Sequence, residues 1–256
     1  MNRAERKRQA KDDEAKLDRG LDPSSDDPEP IAAMARQMHV LLLRATREKD
    51  IDPPVEYLYA KADATLERLK DTKVACRKGC SHCCHIWVSA TAPEILYVAK
   101  LVRRRGTAEN VRAANALTSG YSFSIRALHP MPCPMLKDDA CTIYPQRPVS
   151  CRFAASPDAH LCRRTMREFS RETVPVPVRH LKGRGRYELA TAIALRQAGL
   201  PHYYYEFNAA LTRAFEHEDA ESAWLSGEDV FANVRRDPRD VLEIGPIPQM
   251  TKLAFG

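Results

Sequence analysis

The chain has 256 residues, 44% of them hydrophobic and 29% charged, enough to bury a core without disulfide staples. Its net charge of +6 suggests a nucleic-acid binder until it is located: residues 76–162 hold eleven Lys and Arg against five Asp and Glu, and the other segments cancel. The opening stretch MNRAERKRQAKDDEAK is charged throughout and the apolar run at 39–43 is short, so neither a secretory leader nor a membrane span is expected, and a reducing, cytoplasmic location is.

Residues 1–30 combine alternating charge with DPSSDDPEP and almost no large apolar side chain, which predicts a disordered or transiently helical tail. From Ile31 the pattern changes. Ile31, Met34, Ala35, Met38, Leu42 and Ala45 recur at helical spacing, and Val55, Leu58, Tyr59, Ala62, Leu66 and Leu69 repeat it after Asp52-Pro53-Pro54. A helix hairpin leading to residue 76 is expected. The run HIWVSA at 85–90 is short and rich in β-branched and aromatic residues. Thr91-Ala92-Pro93-Glu94 then fits a capping box, opening a helix with Ile95, Val98, Ala99 and Val102 on its buried face and Gly106 as its left-handed cap.

A further helix is expected at 108–117. Five prolines within 129–148 predict a rigid irregular loop, which needs something other than backbone ladders to hold it. Helices are predicted from just past residue 162 to about 171, and at 187–198, 201–217 and 220–225. The basic stretch HLKGRGR at 180–186 reads as a flexible solvated connection, because no aromatic residue is interleaved to stack on bases. Residues 237–256 read as an extended C-terminal tail. The fold class expected is mainly α: one helical domain over 31–236, whose helical flanks surround an irregular, loop-rich cysteine-cluster metal-binding core at 76–162.

All eight cysteines lie in that core. Cys76, Cys80, Cys83 and Cys84 are separated by three, two and no residues, so several sulfurs can surround one ion within a single turn of chain, and Gly79 lets the turn close. In a reducing compartment such clusters are metal ligands or redox groups rather than disulfides. On a helix the same four would share one face, which is also how a plain buried stripe looks. Cys133, Cys141 and Cys151 are expected to complete the site, with Cys162 as an outlying candidate. Eight thiolates can hold two four-coordinate ions, or one iron–sulfur cluster with thiols to spare. His82 and His85 are alternative donors. Arg77, Lys78, Arg147 and Arg152 flank the cysteines and would offset the thiolate charge.

The string ACRKGCSHCC, followed by TAPEI, CPML and CTIYPQRPVSCR with Phe153, closely resembles the YkgJ-type, or CxxCxxCC, cysteine-cluster family of zinc- or iron-chelating domains. The resemblance covers about 76–162. It differs in placing three residues rather than two between Cys76 and Cys80. It implies metal chelation by Cys76, Cys80, Cys83, Cys84, Cys133, Cys141 and Cys151, with zinc, iron or an iron–sulfur cluster as cofactor. Members have been labelled iron–sulfur oxidoreductases, and flagellin lysine N-methylases carry a similar domain. This chain has no recognisable glycine-rich nucleotide loop to support methyl transfer. The partner expected is a metal ion; a protein partner stays open, nucleic acid and membrane are not expected, and no catalytic residue is assigned.

Overall fold

Helical periodicity is realised through most of the chain in the computed structural model, which describes residues 2–77, 79–238 and 247–256. Twelve α-helices occur among the described residues: α1 Arg3–Leu17, α2 Glu29–Glu48, α3 Asp52–Glu67, α4 Ala92–Arg104, α5 Ala108–Thr118, α6 Phe123–Leu128, α7 Val149–Arg152, α8 Ala159–Arg167, α9 Val178–Gln197, α10 Phe207–Glu216, α11 Ala220–Leu225 and α12 Ile247–Phe255. Four short strands, β1 Ser89–Thr91, β2 Leu136–Lys137, β3 Ala140–Cys141 and β4 Tyr204–Glu206, form two antiparallel pairs, β1 with β4 and β2 with β3. No helix among the described residues is long and apolar enough to cross a membrane.

The core centres on α2, which packs against α1, α3, α9 and α12, while α4 and α5 pack on α10. Its Ile31, Met34, Ala35, Met38, Leu42 and Ala45 are all buried, as their spacing requires. The capping box at the start of α4 forms as read, with Thr91 and Glu94 exchanging hydrogen bonds around the helix entry.

Several segments depart from the sequence reading. The charged start of the chain, expected as a disordered or transiently helical tail, forms α1. Asn2 and Glu5 make a reciprocal capping box, and Leu17 and Leu21 are fully buried. Asp13, only 1% exposed, accepts from Arg36 Nε (2.8 Å) and Nη2 (3.0 Å). A paired charge and two leucines thus dock a segment whose composition looks soluble. The stretch 180–186 is not a loop but the first half of α9. Gly183 lies there because a Cβ would stand 2.7 Å from Phe153 Cε1, so the glycine permits close packing rather than breaking the helix. Its basic neighbours are held by acids of this chain: Arg184 by Glu188 (2.5 Å), Lys182 by Asp26 (3.1 Å) and Arg179 by Asp71 (2.9 Å).

The predicted helix at 201–217 begins as strand β4, whose Tyr204, Tyr205 and Glu206 pair with β1, and becomes helical only from Phe207. The helix expected past residue 162 instead starts earlier, at Ala159, and carries Cys162 on it. At the other end, where an extended tail was expected, α12 packs on α2 and α9, with Met250 and Ala254 buried four residues apart. Residues 239–246 of that expected tail lie outside the described residues.

Candidate metal centre

The first cysteine cluster is a chain of tight turns. Ala75 N donates to Ser156 O (2.8 Å), Cys80 N to Arg77 O (2.9 Å) and Cys84 N to Ser81 O (2.9 Å), with Gly79 at φ +82°. One 3₁₀ turn, His82–His85, follows. A left-handed residue cannot continue an α-helix, so the single-face helical stripe does not form, and the thiols are displayed from irregular backbone.

The second cluster meets the first through the main chain. Cys133 N donates to Cys84 O (2.7 Å) and Met131 N to His85 O (2.9 Å). Leu136 pairs with Cys141 and Lys137 with Ala140, around a turn in which Asp138 and Asp139 both take positive φ. This hairpin returns Cys141 towards Cys133. Cys151 is presented by α7 and Cys162 by α8, which packs on the His82–His85 turn. Both clusters therefore converge, and all eight cysteines are free thiols.

The electrostatics sort the sulfurs. Burial pushes the Cys133 thiol up to about 12, helped by the neighbouring Cys141. Burial, and then the thiols of Cys133, Cys83 and Cys141, raise Cys151 further. Cys83 is raised first by the Cys84 thiol beside it and then by burial. Cys76 and Cys162 are raised by burial, with Cys80 and Cys83 adding to both. Packed thiols that oppose one another's ionisation are what a cation would relieve. Among the described residues no three of these sulfurs lie within 4.8 Å of one another, so they do not stand in a closed tetrahedral shell.

The flanking cations divide by role. Arg147 stands near Cys83, Cys141 and Cys151 and favours their thiolates, as its place in sequence suggested. Its guanidinium stacks 3.7 Å from the Tyr144 ring centre and donates to Tyr144 O (2.8 Å). Arg152 has another task. It donates to Arg147 O (2.9 Å), Pro145 O and Asp63 and lies over the Tyr59 ring, so it pins the proline loop rather than offsetting thiolate charge. Arg77 is exposed, and Lys78 lies outside the described residues. His82 and His85 are held below the usual imidazole range, by burial first and by Arg167 among the further causes, which keeps them neutral.

Three positioning residues escaped the sequence reading. Arg126, 4% exposed, donates to His85 O (2.9 Å), His129 O (2.9 Å) and Met131 O (2.8 Å), clamping one cluster onto the other. Arg167 binds Ser81 Oγ (2.6 Å) and Asp139, tying α8 to both the first turn and the hairpin. Glu94 accepts from Thr91 N (3.0 Å) and Thr91 Oγ1 (2.9 Å) with one oxygen and from Val149 N (2.8 Å) with the other. The TAPE motif announced its capping role, but its grip on the helix bearing Cys151 had no signal in sequence. Glu94→Gln replaces one acceptor by an NH₂ and leaves a buried backbone N–H unpaired, so urea denaturation should show a loss of about 1–3 kcal/mol.

Another cluster of candidate ligands among the described residues, Asp50, Asp52 and Glu221, encloses the Lys100 ammonium, which is 2.9 Å from Glu221 and 3.7 Å from Asp50. It is an ion-pair network with its cation already built in. The thiols are the donors whose chemistry suits a soft or borderline metal.

No curated protein and no solved structure matches the chain. Residues 75–172 match the family model of CxxCxxCC, described as a "putative zinc- or iron-chelating domain". All eight cysteines of the chain lie inside the matched span, so it is this segment that is similar to the CxxCxxCC domain.

Proposed function

We propose that the protein chelates zinc or iron through thiolates of Cys76, Cys80, Cys83, Cys84, Cys133, Cys141, Cys151 and Cys162. The observation that carries this reading is the hydrogen bond from Cys133 N to Cys84 O, which seats one cysteine cluster directly on the other. A bound ion supplies the positive charge that ligating thiolates lack. The chain supplies soft donors, a cation at Arg147 and neutral imidazoles at its rim. Because the sulfurs stand apart, binding draws the hairpin and α7 towards the first turn.

The thiols of Cys76, Cys133, Cys141, Cys151 and Cys162 are raised chiefly by burial, and that of Cys83 by the Cys84 thiol and then by burial, so each of these sulfurs must release a proton to ligate. Affinity then weakens as pH falls, by up to about tenfold per pH unit for each proton displaced. Anaerobic purification, elemental analysis and competition against a chromophoric chelator between pH 6 and 8 test both statements. Stoichiometric zinc or iron with affinity rising with pH is expected. A reduced, folded chain that retains neither metal, or binds it without proton release, would overturn the reading.

A further inference from the structure

The fold sorts the charges at the start of the chain. Residues 1–30 hold seven cations and nine acids, so by composition the segment is slightly acidic. Its acids pair with the body: Asp13 with Arg36 of α2, Glu14 with Lys61 of α3 (2.7 Å) and Asp22 with Arg68 just past α3 (2.8 Å). The cations are left outside. Arg3, Arg6, Lys7, Arg8 and Lys11 are all exposed, and none has an ion pair or a side-chain hydrogen bond among the described residues. The acid among them, Glu5, closes the capping box on Asn2. α1 is docked through Asp13 and Leu17, whereas residues 2–8 are exposed throughout.

This arrangement is unfavourable for the helix alone. Cations in its first turns oppose the dipole, and Arg3, Lys7 and Lys11 repel one another at i, i+4 spacing. A polyanion relieves both. Successive residues turn by about 100°, so Arg6, Arg3, Lys7, Lys11 and Arg8 fan over about 200° of the helix circumference. A flat anionic membrane meets one side of such a rod, and no large apolar residue stands in 2–11 to enter a bilayer. A groove meets the rod on both sides. A helix with its side chains is about 10–12 Å across, and the major groove of B-form DNA is about 12 Å wide. The amides that could read a base edge are engaged within the chain, Asn2 by Glu5 N (2.9 Å) and Gln9 by Asp13 (2.7 Å). We propose that the first three turns of α1 form a cationic arm that lies in the major groove of duplex DNA and binds its phosphates without reading sequence. None of the thiols takes part.

The test is fluorescence anisotropy of the reduced whole chain with labelled duplex DNA of arbitrary sequence, at about 50 and 200 mM salt. Five phosphate contacts give a slope of about −4.5 in log affinity against log salt, so affinity should fall about 500-fold across that range. Lys7→Ala combined with Lys11→Ala should flatten the slope by about 2, and alanine at all five positions should abolish binding. These side chains are exposed and unpaired, so melting temperature and metal content should stay at wild-type values, which separates loss of the arm from loss of the fold or of chelation. Absence of binding at about 50 mM salt, or binding that survives all five substitutions, overturns the proposal. So does preference for anionic-lipid vesicles, or for an A-form RNA duplex, whose major groove is too narrow for a helix.

Discussion

Replacing Arg126 by alanine should separate the two cysteine clusters and weaken metal binding about 10–100-fold, the range seen when a group that orients a metal ligand is lost. The guanidinium is buried, and burial depresses its pKa, so the fold tolerates an unfavourable charge there to reach three carbonyls at once. Without it the carbonyls of His129 and Met131 lose their donor while that of His85 keeps only Met131 N, and stability should fall by about 2 kcal/mol or more. Arg126→Lys keeps the charge but not the planar fork, and should recover only part of the affinity. Metal competition assays on the three proteins decide the point, with helical circular dichroism confirming that the remaining helices persist. Unchanged affinity in Arg126→Ala would falsify the clamp.

Gly20→Ala should destabilise the whole fold by about 3 kcal/mol or more, since overpacking against fixed atoms and a positive φ both count against a side chain. Gly20 has φ +73°, and a Cβ there would lie 2.2 Å from Thr65 Oγ1, 2.5 Å from Lys61 O and 2.8 Å from Thr65 N. Two of those atoms are main chain of α3 and cannot swing away. The same spot is a crossing of three elements: Thr65 Oγ1 donates to Leu21 O (3.1 Å), and the Tyr187 hydroxyl accepts from Leu21 N (3.1 Å) and donates to Lys61 O (2.5 Å). For a chain of this size the expected drop in melting temperature is about 6–12 °C. If residues 1–30 were a loose tail, the substitution would leave the melting temperature where it is.

The helices legible in sequence are those buried through periodic apolar stripes. In α2 and α4 every position of the stripe is buried, and in α3 Val55, Leu58, Tyr59 and Ala62 are, with Leu66 half-buried and Leu69 just beyond the helix end. The reading fails where other physics places a segment. α1 is docked by an Arg36–Asp13 pair and two leucines, too few apolar residues for composition to register. The glycines of α9 look like breakers because sequence cannot show the Phe153 ring that occupies the space beside Gly183. At the candidate site the cysteines are legible because closely spaced thiols are themselves the pattern that marks metal ligation. Arg126, Arg167 and Glu94 were not, since their partners are backbone groups and side chains 41, 86 and 55 residues distant, and no local pattern encodes them.

The seating of Cys133 on Cys84, and of α8 on the first turn, also sets a timetable for the newborn polypeptide. Residues 76–84 leave the ribosome while the walls that enclose them have yet to be translated. At about 5–20 residues per second, the 78 residues from Cys84 to Cys162 take roughly 4 to 16 s. During that interval four bare sulfhydryls face solvent, open to oxidants and adventitious ions, so assembly of the finished centre is a late step whose outcome depends on what the nascent strand meets first.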